Sequence, residues 1–247
     1  MIRIFLGNIG SGKTACAVRE MVNDPLKLKT YSNIITTLPD QITISKDMII
    51  KKEIVDYKKN KKTGEDTPLY KQSLNMDYWK NIGESIHVVL DEAHSIMNSR
   101  QAMKTSNILI TQWIALIRRI LNQCDGLSGD LTLITQLPNR IDTIARDMAT
   151  QIRFHICHYV KYCTSCGSRF KETSQTPEPL RYCPLCGEAT IKKNSYVIEV
   201  LHFKSISHYN AWEVEGIKTY HRRYYIKDIE KYFPLYDTLQ WEHLFED

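Results

Sequence analysis

The chain has 247 residues, 43% of them hydrophobic and 25% charged, with a formal net charge of +5. This is an ordinary soluble globular composition, long enough for one large domain or one domain plus a small module. No run approaches the ~20 apolar residues of a membrane helix, and the opening "MIRIFLGN" is too short and interrupted for a signal peptide, so a cytoplasmic protein is expected. The basic balance is compatible with nucleic acid without demonstrating it.

In chain order, "IRIFLG" (2–7) reads as a buried strand that stops at a glycine loop. "TACAVREMV" then places Ala15, Val18, Met21 and Val22 at helical spacing, ending before Pro25. "YSNIITTLP" (31–39) predicts one strand closed by Pro39, and residues 46–66 read as a polar, lysine-rich loop. "SLNMDYWKNIG" (73–83) is helix-like, and "IHVVLD" (86–91) is apolar on both faces, as a parallel sheet requires. Leu109, Trp113, Leu116, Ile117 and Ile120 share one face of a helix over 106–124. "LTLITQ" (131–136), "QIRFHICHYV" (151–160) and "SYVIEVLHF" (195–203) are further strands, and the aromatic end (217–247) suggests a short helix plus an arm. Strands alternating with helices predict an α/β fold with a parallel, doubly wound sheet flanked by helices.

Gly7-Asn8-Ile9-Gly10-Ser11-Gly12-Lys13-Thr14 matches GxxxxGK[ST] at every fixed position, between a strand and a helix. Its backbone N–H groups can face phosphate oxygens, and the helix adds its positive end. Lys13 would reach the β- and γ-phosphates of ATP, and Thr14 would ligate Mg²⁺. Asp91, ending a buried strand, would hold Mg²⁺ through its water shell. Glu92 is placed to polarise the attacking water. His94 reads as a packing or loop residue. Gln136, after Thr135 at the tip of "LITQ", can touch the γ-phosphate or the lytic water.

"DEAH" names a helicase group, but one motor domain fits before the cysteines begin, a QxxGRxGR motif is absent, and the expected SAT is replaced by TQ. "LTLITQLPNRIDTIARDMATQIRFHI" instead resembles the FtsK/HerA motor superfamily. "YSNIITTLP" and "VVLDEAHSIM" resemble its Zot-like branch, which includes filamentous-phage assembly ATPases and is similar to viral genome-packaging ATPases. The resemblance spans residues 1 to about 160. It implies a RecA-like P-loop ATPase acting as a homo-oligomeric, usually hexameric, ring that pumps double-stranded DNA. An arginine finger would reach in from a neighbouring subunit. Arg118 and Arg119 rank first, with Arg140, Arg146 and Arg153 conceivable. Without a membrane span, packaging DNA into a particle, docked on a capsid or portal protein, is favoured over filamentous extrusion or conjugation. A slowly hydrolysing DNA-binding scaffold is the alternative from another class.

Cys163, Cys166, Cys183 and Cys186 form two CxxC pairs sixteen residues apart. Each pair is a knuckle in which the following glycine permits the turn, and four thiolates at about 2.3 Å make a closed, structural Zn²⁺ site. A rubredoxin-like iron site is the runner-up. The module (161–192) is expected as a zinc-ribbon insertion at a hairpin tip, between a motor core (1–160) and a completing segment (193–247). Its Lys161, Arg169, Lys171, Arg181, Lys192 and Lys193 outnumber Glu172, Glu178 and Glu188. With Tyr162, Phe170 and Tyr182 they could grip a phosphate backbone, or the ribbon could serve a subunit contact. Cys16, Cys124 and Cys157 read as packing residues. The Lys51–Lys62 run is a solvated loop or a pore lining, and Trp212, Tyr224, Tyr225, Tyr232, Phe233 and Trp241 read as core or subunit contacts rather than a base-stacking platform.

Overall fold

The computed structural model describes residues 1–59, 66–96, 105–121, 129–188 and 191–241, without the side chains of 118, 120, 191–194 and 238–241. β1 (Ile2–Leu6) runs through the glycine loop into α1 (Lys13–Val22), followed by β2 (Thr30–Ser32), β3 (Ile34–Thr36) and β4 (Gln41–Thr43). α2 (Lys46–Ile49) leads into a hairpin of β5 (Ile50–Lys59) and β6 (Asp66–Leu74), then α3 (Met76–Lys80), β7 (His87–Leu90) and α4 (Ala93–Ile96). α5 (Thr105–Leu121), β8 (Leu131–Ile134), α6 (Thr143–Met148), β9 (Gln151–Cys163) and β10 (Arg169–Thr173) follow. The chain closes with β11 (Ile191–Phe203), α7 (Ile206–Glu215), β12 (Arg222–Ile226), a 3-10 turn (Ile229–Leu235) and β13 (Tyr236–Trp241).

The main sheet has the order β12-β11-β9-β1-β8-β7-β2-β4, with β10 beside β9. From β9 to β4 neighbouring strands are parallel, while β11 and β10 run antiparallel to β9, and β12 antiparallel to β11. This is the α/β parallel sheet the alternation predicts, extended by an antiparallel edge.

Side-chain alternation along the strands builds a core on each face. Ile2, Ile4, Leu6, Val88, Leu90, Leu131 and Leu133 share one core with Trp79 of α3, Trp113 and Ile117 of α5, and Ala145 of α6. Phe5, Val89 and Ile134 join the opposite core with Ala15 and Val18 of α1 and with Ile229 and Tyr232. The 3-10 turn therefore covers the same face as α1.

Local sequence accounts for several boundaries. Asp142 caps α6 by accepting from Ile144 N–H at 2.8 Å, and Ser205 caps α7 by accepting from His208 N–H. α7 ends where Gly216 turns left-handed, with Gly216 N–H donating to Trp212 O and Ile217 N–H to Ala211 O.

Five local expectations need correction. The strand over 31–39 breaks at Asn33, because the Asn33 amide bonds both backbone groups of Asp91 instead of a neighbouring strand. β2 stays in the main sheet, whereas β3 pairs with β13. The lysine-rich loop is the β5/β6 hairpin, which takes in Ser73 and Leu74 and shortens the following helix to α3. Ile110, Trp113, Ile114, Ile117 and Leu121 form the buried face of α5, rotated from the predicted stripe, with Leu109 and Leu116 only partly covered. Val22 is 42% exposed, since Ala15, Cys16, Ala17 and Val18 already fill the sheet-facing side of α1. Among the described residues the aromatic end holds no α-helix after α7. Its β12 joins the sheet edge through Ile198↔Ile226 and Val200↔Tyr224, a pairing hidden by the polar look of "RRYYI".

Candidate nucleotide-binding site

β1, β7 and β8 deliver their C-terminal ends to one edge of the sheet, and β8 lies between the other two. This order sets the phosphate loop after β1 and the acidic pair after β7 on either side of Gln136.

The loop is shaped by close contacts on β9 and β11. A Cβ on Gly7 would lie 2.5 Å from His155 O, and one on Gly12 would lie 2.6 Å from Ile198 Cδ1. Gly12 also has φ +86°, which a side chain rarely tolerates. Asn8 Nδ2 donates to Ser174 O at 3.2 Å, tying the loop to the segment after β10. β1 and β10 occupy the same edge of β9 at different heights, because β11 lines the other edge throughout. The loop emerges in the interval between them.

Lys13 is 7% exposed, and its ammonium donates to Gly7 O at 2.8 Å and Asn8 O at 3.0 Å. Burial lowers its pKa, while Asp91 and Glu92 act in the opposite direction. Thr14 Oγ1 donates to Asp91 Oδ2 at 2.6 Å. Burial raises the Asp91 pKa against the hydrogen bonds from Thr14 and from the Glu92 backbone. A hydroxyl and a carboxylate in contact are hard oxygen donors of the kind Mg²⁺ takes, usually with waters and substrate phosphates completing the shell.

Glu92 has φ +48°, an uncommon conformation for a non-glycine residue. Three hydrogen bonds hold the turn: Asp91 N–H to Asn33 Oδ1 at 2.7 Å, Asn33 Nδ2 to Asp91 O at 2.9 Å, and Glu92 N–H to Asp91 Oδ1 at 2.8 Å. On the other side, Gln136 Nε2 donates to Glu92 Oε1 at 3.1 Å. His94 Nδ1 stands 3.2 Å from both Glu92 Oε2 and Thr135 Oγ1. The structure thus brings Lys13, Thr14, Asp91, Glu92 and Gln136 into one cleft, with His94 and Thr135 behind it. Asn33 was missed by sequence reasoning. Its only signal is an amide in the middle of an apolar strand.

The arginines are not gathered here. Arg153 pairs with Glu20 and donates to Gln151, and it is largely buried. Arg146 donates to Thr143 Oγ1. Arg119 is exposed on α5, Arg140 is half-buried, and the Arg118 side chain lies outside the described residues. Cys16 and Cys157 are buried, whereas Cys124 also lies outside them.

A second constellation sits at the far end of β9. The sulfurs of Cys163, Cys166, Cys183 and Cys186 all lie within 4.8 Å of one another, with Cys163–Cys186 and Cys166–Cys183 each at 3.5 Å. Gly167 N–H donates to Cys163 O and Gly187 N–H to Cys183 O, both at 2.9 Å, so the two knuckles close in the same way. Ser168 helps hold the Cys166 thiol down to about 6, toward the thiolate that ligates metal. Four converging sulfurs fit a soft-ligand tetrahedral ion. β10 folds back on β9, so the module is built onto the main sheet. Lys161, expected among free basic groups, instead pairs with buried Glu172 at 3.0 Å and donates to Leu180 O at 2.8 Å.

Parallel strand order, phosphate loop and acidic strand end together define a P-loop NTPase fold. The sequence matches the zonular occludens toxin (Zot) family over residues 1–164, and the chain belongs to that family. No curated protein matches it in sequence. Among solved structures it is similar to the N-terminal domain of zonular occludens toxin from Neisseria meningitidis, at 18% identity and a TM-score of 0.50. That likeness covers 96% of this chain and 98% of the other, and bears on the fold. A looser likeness, at 13% identity and a TM-score of 0.37, links it to the genome packaging NTPase B204 from Sulfolobus turreted icosahedral virus 2 in complex with ATP-gammaS. It covers 83% of this chain and 93% of that one, too loosely to carry a functional inference. Among the described residues no helix is long and apolar enough to cross a membrane.

Proposed function

We propose that the chain is a Mg²⁺-dependent ATPase that couples hydrolysis to the movement of double-stranded DNA. The observation that carries the reading is Gln136 bonded to Glu92 beside the Thr14–Asp91 pair, all at the mouth of the phosphate loop. Mg²⁺ would neutralise charge developing on the transferred phosphoryl group. Loop N–H groups and Lys13 hold the phosphates. Glu92 accepts the proton of the attacking water, and Gln136 fixes the carboxylate that does so. The held turn at Asn33 keeps Asp91 and Glu92 in register with Thr14.

DNA as cargo, a homo-hexameric ring and an arginine finger from Arg118 or Arg119 follow from the resemblance to DNA-pumping motors. Packaging into a particle and assembly of a filamentous virus would use the same chemistry. The family match is compatible with either. The four cysteines are assigned to a structural Zn²⁺, since a closed tetrahedron leaves no position for reacting water.

Two measurements test the reading. Glu92→Gln should keep ATP binding while turnover falls roughly 10²–10⁴-fold, and undiminished hydrolysis would remove Glu92 as the base. Duplex DNA should stimulate the ATPase several-fold. A rate indifferent to DNA would favour a slowly hydrolysing scaffold.

A further inference from the structure

The cleft continues past the phosphate loop. It encloses about 430 Å³, and its far wall comes from the C-terminal part of the chain: Tyr196 and Ile198 of β11, Phe233 of the 3-10 turn, and Tyr236 at the start of β13. Small-molecule sites typically enclose about 300–1,000 Å³. Phosphate and metal chemistry use the polar wall and have no need of three aromatic rings. Phe233 and Tyr196 meet nearly edge to face, with centroids 5.8 Å apart. Phe233 stays 39% exposed although Ile229 and Tyr232 of the same turn are buried. Its ring therefore belongs to the cleft wall and not to the core. Tyr236 lines the same cleft as Thr14 and Asp91.

The segment carrying these rings is tied down on three sides. Glu230 Oε1 accepts from Tyr196 N–H at 2.9 Å. Tyr232 Oη meets Asn23 Nδ2 at 2.9 Å at the end of α1. Leu235 O accepts from Thr37 N–H at 2.9 Å after β3. Such a wall is preorganised, so little conformational freedom would be lost on binding.

We propose that Tyr196, Ile198 and Phe233 form the nucleobase subsite of this cleft, with Tyr236 joining it to the phosphate end, and that a purine ring stacks on the chain's own C-terminal strap. The inference rests on the ATPase reading above and adds which residues grip the base. Stacking requires only a π-face, and an aromatic wall supplies it.

Calorimetry on the full chain with Mg²⁺ compares ATP with tripolyphosphate, which carries the phosphates and no base. Phe233→Ala should weaken ATP about tenfold or more, leave tripolyphosphate unchanged, and be rescued by Phe233→Trp. Equal losses for both ligands, or no loss for ATP, would overturn the base subsite while sparing the phosphate loop. Wild-type protein that binds neither ligand would overturn the ATPase reading, and this inference with it. Photolabelling of the unmodified chain with 8-azido-ATP avoids any folding defect of the variants. Adducts on the peptides holding Tyr196 or residues 229–241 support the subsite, and adducts confined elsewhere overturn it.

Discussion

The parallel and antiparallel halves of the sheet solve different problems. β1, β7 and β8 are four or five residues long and buried on both faces. Parallel neighbours need long crossovers, so their C-terminal ends all open on one edge, where loops can gather chemistry from distant points in the chain. β9 and β11 are thirteen residues each and form a long antiparallel ladder with one register shift between Lys193 and Tyr196. An antiparallel pair can close locally, and the cysteine module does so between the far ends of these two strands. One half converges remote residues on a reaction site; the other stiffens a projecting tip. They meet along the β1–β9 pairing, and the phosphate loop adds Gly12 against Ile198 and Asn8 on Ser174.

The largest effect that would sharpen this contrast lies wholly in the parallel half. Lys13→Ala should reduce ATP turnover by roughly 10²–10³-fold, a loss of the size seen when one charge-stabilising donor is removed. The cysteine module should remain intact, as followed by cobalt absorption of the four-thiolate site. Metal removal probes the reverse direction. A chelator should loosen residues 163–188 in hydrogen exchange, because metal-binding energy is folding energy in small sites. The parallel half should stay protected, and ATP affinity should fall only a few-fold as Ser174 loses its hold on Asn8. Global unfolding on chelation would abolish the distinction between the halves.

Gly12→Ala breaks the joint itself. The left-handed backbone and the 2.6 Å approach to Ile198 should together cost about 1–3 kcal/mol in denaturant unfolding and weaken ATP binding. Adding Ile198→Ala would relieve the contact but not the φ strain, so rescue should be incomplete.

The smallest effect concerns acid. Burial alone would raise the Glu172 pKa, but the Leu180 N–H and Lys161 outweigh it and hold the carboxyl below its ordinary value of 4.5. A lowered folded pKa gives stability that is present above the unfolded value and lost as pH falls through the folded one. Exchange protection of β10 should therefore decline below about pH 4.5 in wild type and be less pH-dependent in Glu172→Gln.

How much of this was legible depended on whether a feature is written locally. "GNIGSGKT" and the two CxxC pairs specify their own turns, because the glycines, the reactive groups and the spacing lie within a few residues. "VVLDEAH" and "LITQ" could be read as strand ends bearing polar tips, since a four-residue apolar run followed by acid or amide has few other uses. The buried face of α5 was harder to read, because its apolar residues come in adjacent pairs (Leu109-Ile110, Trp113-Ile114, Leu116-Ile117, Ile120-Leu121) and the period can be drawn along more than one stripe. Asn33 was invisible because an amide inside a strand looks like a weak β-former until its partner across the sheet is known. The same holds for Phe233, which read as an ordinary tail aromatic.

By itself the sequence determined the phosphate loop, the acidic pair, the cysteine knuckles and the alternation that makes the fold α/β. These follow from covalent neighbours: short-range backbone geometry and periodic burial. Only the tertiary structure decided that β8 lies between β1 and β7, that Gln136 touches Glu92, that Asn33 braces Asp91 and that the C-terminal strap lines the nucleotide cleft. Those depend on strand order and register, which are set by packing the whole chain into one two-faced core.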